Sequence, residues 1–104
     1  MNAKELALKI IGDYGTSHVF DLAQKAGCAI IYAKWHPTTM GEFHKKTNTI
    51  YVNLNAPLEK EHIIAHELGH FFSQSSENPK SRLEQEAFAN DFANEIMDNY
   101  HKMA

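Results

Sequence analysis

Apolar residues recur at helical spacing at the start of the chain. The pattern covers residues 2–12 and stops near Gly12 and Gly15, which are of the residue type that favours a helix end. We therefore predict a first helix over this segment. The apolar positions that define it are Leu6, Ile10 and Ile11.

A second, short helix should follow directly. Thr16 or Ser17 can serve as its N-cap, because a side-chain hydroxyl can accept a hydrogen bond from a free backbone N–H of the first turn. Gly27 is placed to end the helix, since glycine readily adopts the left-handed conformation found there. The side chains predicted to face inward are Val19, Phe20, Leu22, Ala23 and Ala26.

The middle of the chain has the pattern of a short three-stranded sheet. Residues 28–33 are apolar and rich in β-branched side chains, and Pro37 either ends this strand or confines it to a sheet edge. Residues 41–46 and 49–54 flank Thr47-Asn48, and the second run alternates apolar and polar side chains. We expect a hairpin there. Its turn type stays open, because the Asn-Gly signature is absent.

Residues 62–72, HIIAHELGHFF, return to helical spacing. Pro57 suits the first turn of this helix, and Asn55 lies close to its cap. We expect the helix to end at about Ser73, because residues 74–79 have the composition of a loop.

A last helix should run from about residue 82 to residue 101 and pack against the preceding one. Ser81 and Glu84 have the spacing of a capping box, which marks a helix start. Counting at three- and four-residue intervals gives its inward stripe. The stripe comprises Leu83, Glu86, Ala89 or Asn90, Ala93, Ile96 or Met97, and Tyr100.

Composition places these elements in one α+β domain over residues 1–104. Hydrophobic content of 43% and charged content of 22% are ordinary for a globular protein, and the net charge of −3 argues against nucleic-acid binding. No apolar run has the length of a signal peptide or a membrane span, so we expect a cytoplasmic location. The one cysteine, Cys28, fits a reducing compartment, and its apolar neighbours predict a buried small hydrophobe.

The segment His66-Glu67-Leu68-Gly69-His70 carries the clearest chemical signal. Residues four apart share one face of a helix, so His66 and His70 can each offer an imidazole nitrogen to one metal ion. Glu67 can reach a water on that ion and act as general base. The alternative is a helix with surface histidines; the apolar helical context favours metal binding, with zinc as the metal.

A third ligand should come from the last helix, because a catalytic zinc usually takes three protein ligands. Glu86 is the carboxylate on the inward stripe, and a divalent cation would offset the cost of burying it. The alternative is a solvated or lysine-paired charge at the edge of the stripe. Asn90, one turn further on, suits a supporting role, since its oxygen could accept the remaining N–H of either histidine.

At these residues the chain resembles the ImmA/IrrE-type metallopeptidases. HELGH lies in an apolar helix, and Glu86-Ala87-Phe88-Ala89-Asn90-Asp91-Phe92-Ala93 matches their second signature, E-x-x-A-N-x-F-A. The resemblance implies a small zincin-like domain that binds zinc through His66, His70 and Glu86 and uses Glu67 as the base. It departs where family members often continue with Leu-Leu-Met-Pro, because residues 95–98 contain no proline.

The same resemblance implies a biological role. Members of the family are typically carried by mobile elements, prophages or stress-response loci. They cleave DNA-binding repressor proteins, often of the helix-turn-helix kind, and so relieve repression. We therefore expect a zinc metalloendopeptidase with a protein substrate. The alternative is an inactive, zinc-stabilised binding module that recognises a regulator without cutting it.

A peptidase of this type needs a donor for the oxyanion of its tetrahedral intermediate. The candidates on or near the predicted strands are His44, Tyr51 and His36, and we place His44 first. Each could instead be an ordinary exposed strand residue. His62 lies one turn before His66 and fits the entrance of the site better than its ligand set.

Overall fold

Four helices and a three-stranded sheet form in the part of the chain that the computed structural model describes, residues 1–73 and 81–103, which confirms the α+β class. The predicted loop at 74–79 lies outside the described residues. In chain order the elements are α1 (Ala3–Tyr14), α2 (Val19–Ala26), β1 (Ala29–Ala33), β2 (Gly41–His44), β3 (Thr49–Asn53), α3 (Lys60–Ser73) and α4 (Arg82–Met103).

The sheet has the strand order β1-β3-β2. β1 runs parallel to β3, with Ala29 opposite Thr49, and it occupies an edge and ends before Pro37, as that proline predicts. β2 and β3 form the predicted antiparallel hairpin. Its turn includes Asn48 in the left-handed region at φ 48°, a conformation that asparagine tolerates better than most residues.

The first helix is confirmed and carries its own caps. Asn2 and Glu5 form a reciprocal capping box at its start, and Gly15 closes its end at φ 73°. For α2, Gly27 is confirmed as the terminator, but the predicted N-cap at Thr16 or Ser17 is wrong. The N-cap is His18, and the Thr16 hydroxyl accepts the backbone N–H of His18 at 3.0 Å, which orders the turn before the helix instead.

The helix that carries the HELGH motif begins later than its sequence predicts. It starts at Lys60, so Pro57 lies before its first turn and Asn55 does not cap it. Asn55 contacts the β1–β2 connection instead, where its side chain donates to the backbone carbonyl of Trp35 at 3.2 Å. The other end of the helix, at Ser73, agrees with the prediction.

The last helix begins at the predicted residue. The backbone N–H of Glu84 donates to the Ser81 hydroxyl at 3.2 Å, and that hydroxyl donates to the Glu84 carboxylate at 3.0 Å. The predicted stripe is wrong at its first position, because Leu83 is 82% exposed, whereas Phe92, which the stripe omitted, is fully buried.

The core lies between α4, α3 and α1, and the sheet covers one side of α3. Its largest fully buried side chains are Leu22, Ile50, Val52, Asn53, Ile63, Ile64, Leu68, Phe92 and Ile96. Cys28 is buried as predicted, and burial raises the pKa of its thiol. Within the described ranges, no helix combines the length and the apolar character that crossing a membrane requires.

Candidate metal centre

The structure brings the three predicted metal ligands together. His66 and His70 share one face of α3, with ring centroids 4.9 Å apart. Glu86 reaches them from α4, and its carboxylate oxygens lie 3.0 Å from Nε2 of His66 and 3.1 Å from Nε2 of His70. One candidate ligand atom from each residue lies within 4.8 Å of the other two.

Close packing of the two helices places Glu86 within reach. At Gly69, between the two histidines, an added Cβ would lie 2.9 Å from the Cα of Ala89 and 3.2 Å from its carbonyl oxygen. Ala89 is three residues after Glu86, so this contact fixes the turn of α4 that carries the carboxylate. Gly69 of HELGH and Ala89 of the second signature are therefore small because the two helices pack closely at this point.

Replacing Gly69 by alanine should separate α3 from α4 at this point. The backbone of Ala89 cannot give way as a flexible side chain would, so we expect a loss of about 1–3 kcal/mol in the free energy of unfolding. Zinc affinity should fall as well, because Glu86 moves with α4. Urea denaturation and zinc titration measure the two effects.

Gly12→Ala is the matched control for that substitution. Gly12 also lies within a helix, but nothing comes within 4 Å of a Cβ added there. Alanine is the better helix former, so the control should gain up to about 1 kcal/mol of stability and keep its zinc affinity. Equal effects at Gly12 and Gly69 would contradict the packing argument.

Glu67, the predicted base, is 5% exposed and lies beside the cluster on α3. Its Cγ is 3.6 Å from the position that a Cβ on Gly41 would take, so β2 packs directly over this side chain. Burial first, and then the negative charges of Glu86 and Glu42, raise the pKa of the Glu67 carboxyl to about 8. A nearby cation would favour the ionised form that a base requires.

The donor set fits a divalent metal ion. Burial lowers the pKa of His70, while the Glu86 charge opposes that shift and His66 adds to it. Burial thus favours the neutral imidazole that coordinates metals. Ligand atoms around a tetrahedral zinc lie about 3.4 Å apart for bonds near 2.1 Å. The distances of 3.0 and 3.1 Å from the Glu86 oxygens to the two imidazole nitrogens are close to that value. Two imidazoles and one carboxylate are a set that zinc accepts.

These groups line an open cleft of about 1040 Å³. One wall comes from α3 and α4, and the other from the run of residues 38–45, which includes β2. Sequence reasoning missed many of the residues that line this cleft, and three of them bear directly on the packing or the electrostatics of the site. They are Gly41, whose lack of a side chain lets β2 approach α3, Glu42, whose charge acts on Glu67, and Arg82, which lines the cleft near Glu86.

The three candidates for the oxyanion donor fall in different places. His44 lines the cleft, where its Nε2 and the Glu42 carboxylate form a hydrogen bond of 2.9 Å. Its ring packs against the ring of Tyr51, with the two centroids 4.5 Å apart. Neither Tyr51 nor His36 lines the cleft, and His36 bonds Thr38 instead. His44 therefore stays the predicted donor.

The two remaining site predictions concern neighbours of the ligands. His62 is half-buried and lines the cleft without joining the ligand cluster, which agrees with a place at the entrance. Asn90 also lines the cleft and is exposed. Among the described residues, no hydrogen bond joins Asn90 to His66 or His70, so its supporting role stays a prediction.

The comparison with protein families agrees with this geometry. The family model for Peptidase M78, the IrrE N-terminal-like domain, matches residues 23–104, which include both signatures and the whole cluster. The chain belongs to this family. The resemblance predicted from the two signatures is confirmed, and the M78 domain is a peptidase domain of the metallo-type. No curated protein and no solved structure matches the chain, so the zincin-like description of its fold stays a prediction.

Proposed function

We propose that this M78 domain is a zinc-dependent endopeptidase. The observation that carries the proposal is the position of Glu67, a buried carboxylate on the wall of an open cleft, directly beside the cluster of His66, His70 and Glu86. A cluster that only stabilised the fold would need neither an open cleft nor a neighbouring base.

Each residue has a definite task in this proposal. His66, His70 and Glu86 would hold zinc, which when bound supplies a Lewis acid and lowers the pKa of a water towards 7. Glu67 accepts the proton of the attacking water and later donates it to the leaving amine. His44, on the opposite wall, would donate a hydrogen bond to the oxyanion of the scissile carbonyl.

The substrate would bind as an extended peptide along the free edge of β2. Several β2 residues line the cleft and none of β3 does, so the cleft lies on the unpaired side of β2. The N–H of Asn53 donates to the carbonyl of Met40 at 3.0 Å, and hydrogen-bonded pairs alternate along an antiparallel ladder. Gly41 and Phe43 therefore direct their backbone N–H and C=O groups away from β3, where a peptide can pair with them.

We propose that the biological substrate is a helix-turn-helix repressor of a mobile element or prophage, and that it is cleaved in the cytoplasm. The support is the likeness of the two signatures to the ImmA/IrrE type, together with membership of the M78 family. The single buried cysteine supports a reducing compartment.

The test is metal-dependent cleavage of a complex peptide mixture. The purified domain should be incubated with a tryptic digest of a bacterial proteome, and new peptide termini counted by mass spectrometry. We expect new termini with the zinc-loaded protein, their loss after chelation, and their return when zinc is restored. Cleavage that survives complete removal of the metal, or no cleavage by zinc-loaded protein, would overturn the proposal.

A further inference from the structure

The side chain of Asn53 is one of the most deeply buried polar groups in the described chain. It is 1% exposed and lies at the end of β3. Its Oδ1 accepts the backbone N–H groups of Trp35 at 3.1 Å and Asn55 at 3.0 Å. Its Nδ2 donates to the backbone carbonyls of His36 at 2.9 Å and Thr39 at 2.6 Å.

These four contacts use the full capacity of a side-chain amide, which has two donor hydrogens and two acceptor lone pairs. They also fix its orientation, because backbone N–H groups can only donate and backbone carbonyls can only accept. Aspartate could accept the two N–H groups but would set a negative charge against two carbonyl oxygens. An aliphatic side chain would leave all four backbone groups without this partner.

Three of the four contacts join Asn53 to one segment, residues 34–40, which we call the rim loop. The rim loop connects β1 to β2, and its last residues, Thr38, Thr39 and Met40, line the cleft. The backbone of Asn53 adds a fourth tie, since its N–H donates to the carbonyl of Met40 at 3.0 Å. Met40 directly precedes Gly41, the first residue of the edge strand.

We infer that Asn53 is a positioning residue for the peptide-binding edge: by holding the rim loop, its side-chain amide sets where β2 begins and how its free edge faces the cleft. This inference rests on the proposed function, because it assigns the edge to a peptide. Asn53 itself does not line the cleft, so it acts through the rim loop. The metal ligands lie on α3 and α4, outside the segment that Asn53 holds.

The contributions of the metal and of the peptide-binding edge to ligand affinity can be measured separately with two hydroxamates on the zinc-loaded protein. Acetohydroxamate reaches only the metal, whereas an acetylated tetra-alanyl hydroxamate also places a peptide along the cleft. The ratio of their dissociation constants reports the contribution of the edge. Calorimetry gives both constants, and a zinc titration shows whether the metal site is intact.

In Asn53→Asp we expect the tetra-alanyl hydroxamate to bind about tenfold more weakly, while acetohydroxamate and zinc bind within about twofold of wild type. The matched control is Asn55→Asp. Asn55 makes a single exposed side-chain bond to the rim loop, at the carbonyl of Trp35, so the control adds the same charge and should bind both hydroxamates as wild type does.

Other results would overturn the inference. A folded Asn53→Asp with the wild-type ratio would overturn it alone. Equal loss of both hydroxamates would show that Asn53 acts on the whole site and not on the edge. If the wild type binds the two probes equally, the peptide edge of the proposed function fails, and the inference fails with it.

Hydrogen exchange on the wild type covers the case in which Asn53→Asp does not fold. The amides of Trp35 and Asn55 lie in irregular segments, and their protection depends on the Asn53 side chain. We expect both to exchange at least about a hundredfold more slowly than unprotected amides. Exchange at the rate of free loop amides would overturn the inference without any variant.

Discussion

Glu86→Ala should lower the zinc affinity of the domain by about a hundredfold or more. Loss of a residue that only supports a ligand costs roughly 10–100-fold, and Glu86 is itself the third member of the cluster. Its two carboxylate oxygens face the two histidines separately, so the alanine variant loses both contacts at once. His66→Ala and His70→Ala should have comparable effects.

The measurement is metal content by mass spectrometry after zinc reconstitution, followed by titration against a competing chelator. We expect about one zinc per wild-type chain, the number that a three-residue site holds. Asp91→Ala is the control, because it removes an exposed carboxylate from the same helix without touching the cluster. Wild-type protein without metal, or Glu86→Ala with unchanged affinity, would contradict the assignment of the site.

Local signals in the sequence predicted the parts of this site that depend on one helix. The four-residue spacing of His66 and His70 fixes their common face without any knowledge of the fold. The Ser81 and Glu84 pair marks the start of α4 for the same reason, since a cap involves only its own first turn. Such features can be predicted from the sequence because they depend on no distant residue.

The face of α4 was harder to predict, because three- and four-residue steps admit two neighbouring stripes. The sequence favours a stripe that begins at Leu83, which is in fact exposed. The side that lines the cleft begins one residue earlier and includes Arg82, Gln85 and Glu86. Which of the two stripes faces inward depends on how closely α3 approaches α4. The contact between Gly69 and Ala89 sets this distance, and it joins residues 20 apart in the chain.

The start of α3 and the role of Asn53 depend on contacts that are distant in sequence. Pro57 and Asn55 are acceptable at a helix start, so nothing local argues against one there. The competing partner is the rim loop, about 20 residues earlier, which takes the hydrogen bonds of Asn53 and Asn55. The alternation of residues 49–54 places Asn53 only among the polar positions of a strand, because its four hydrogen-bond partners come together only after folding.

Glu67→Gln should lower kcat by about a thousandfold, the effect expected when a general base is removed from a positioned water. Glutamine keeps the shape of the side chain under β2, and it leaves all three metal ligands in place. Zinc content and KM should therefore stay near their wild-type values. Steady-state kinetics on a peptide found in the cleavage screen, with zinc determined on the same samples, measure all three quantities.

Glu61→Gln is the matched control, because it makes the same change on the same helix at a residue that does not line the cleft. The pair of variants also separates the two functions that the sequence leaves open. A peptidase loses turnover only in Glu67→Gln and still binds its target, since the carboxylate acts on the proton and not on the peptide. A binding module would show no turnover in any form and equal target affinity in all three proteins. Full turnover in Glu67→Gln would remove Glu67 from the mechanism and require another base on the cleft wall.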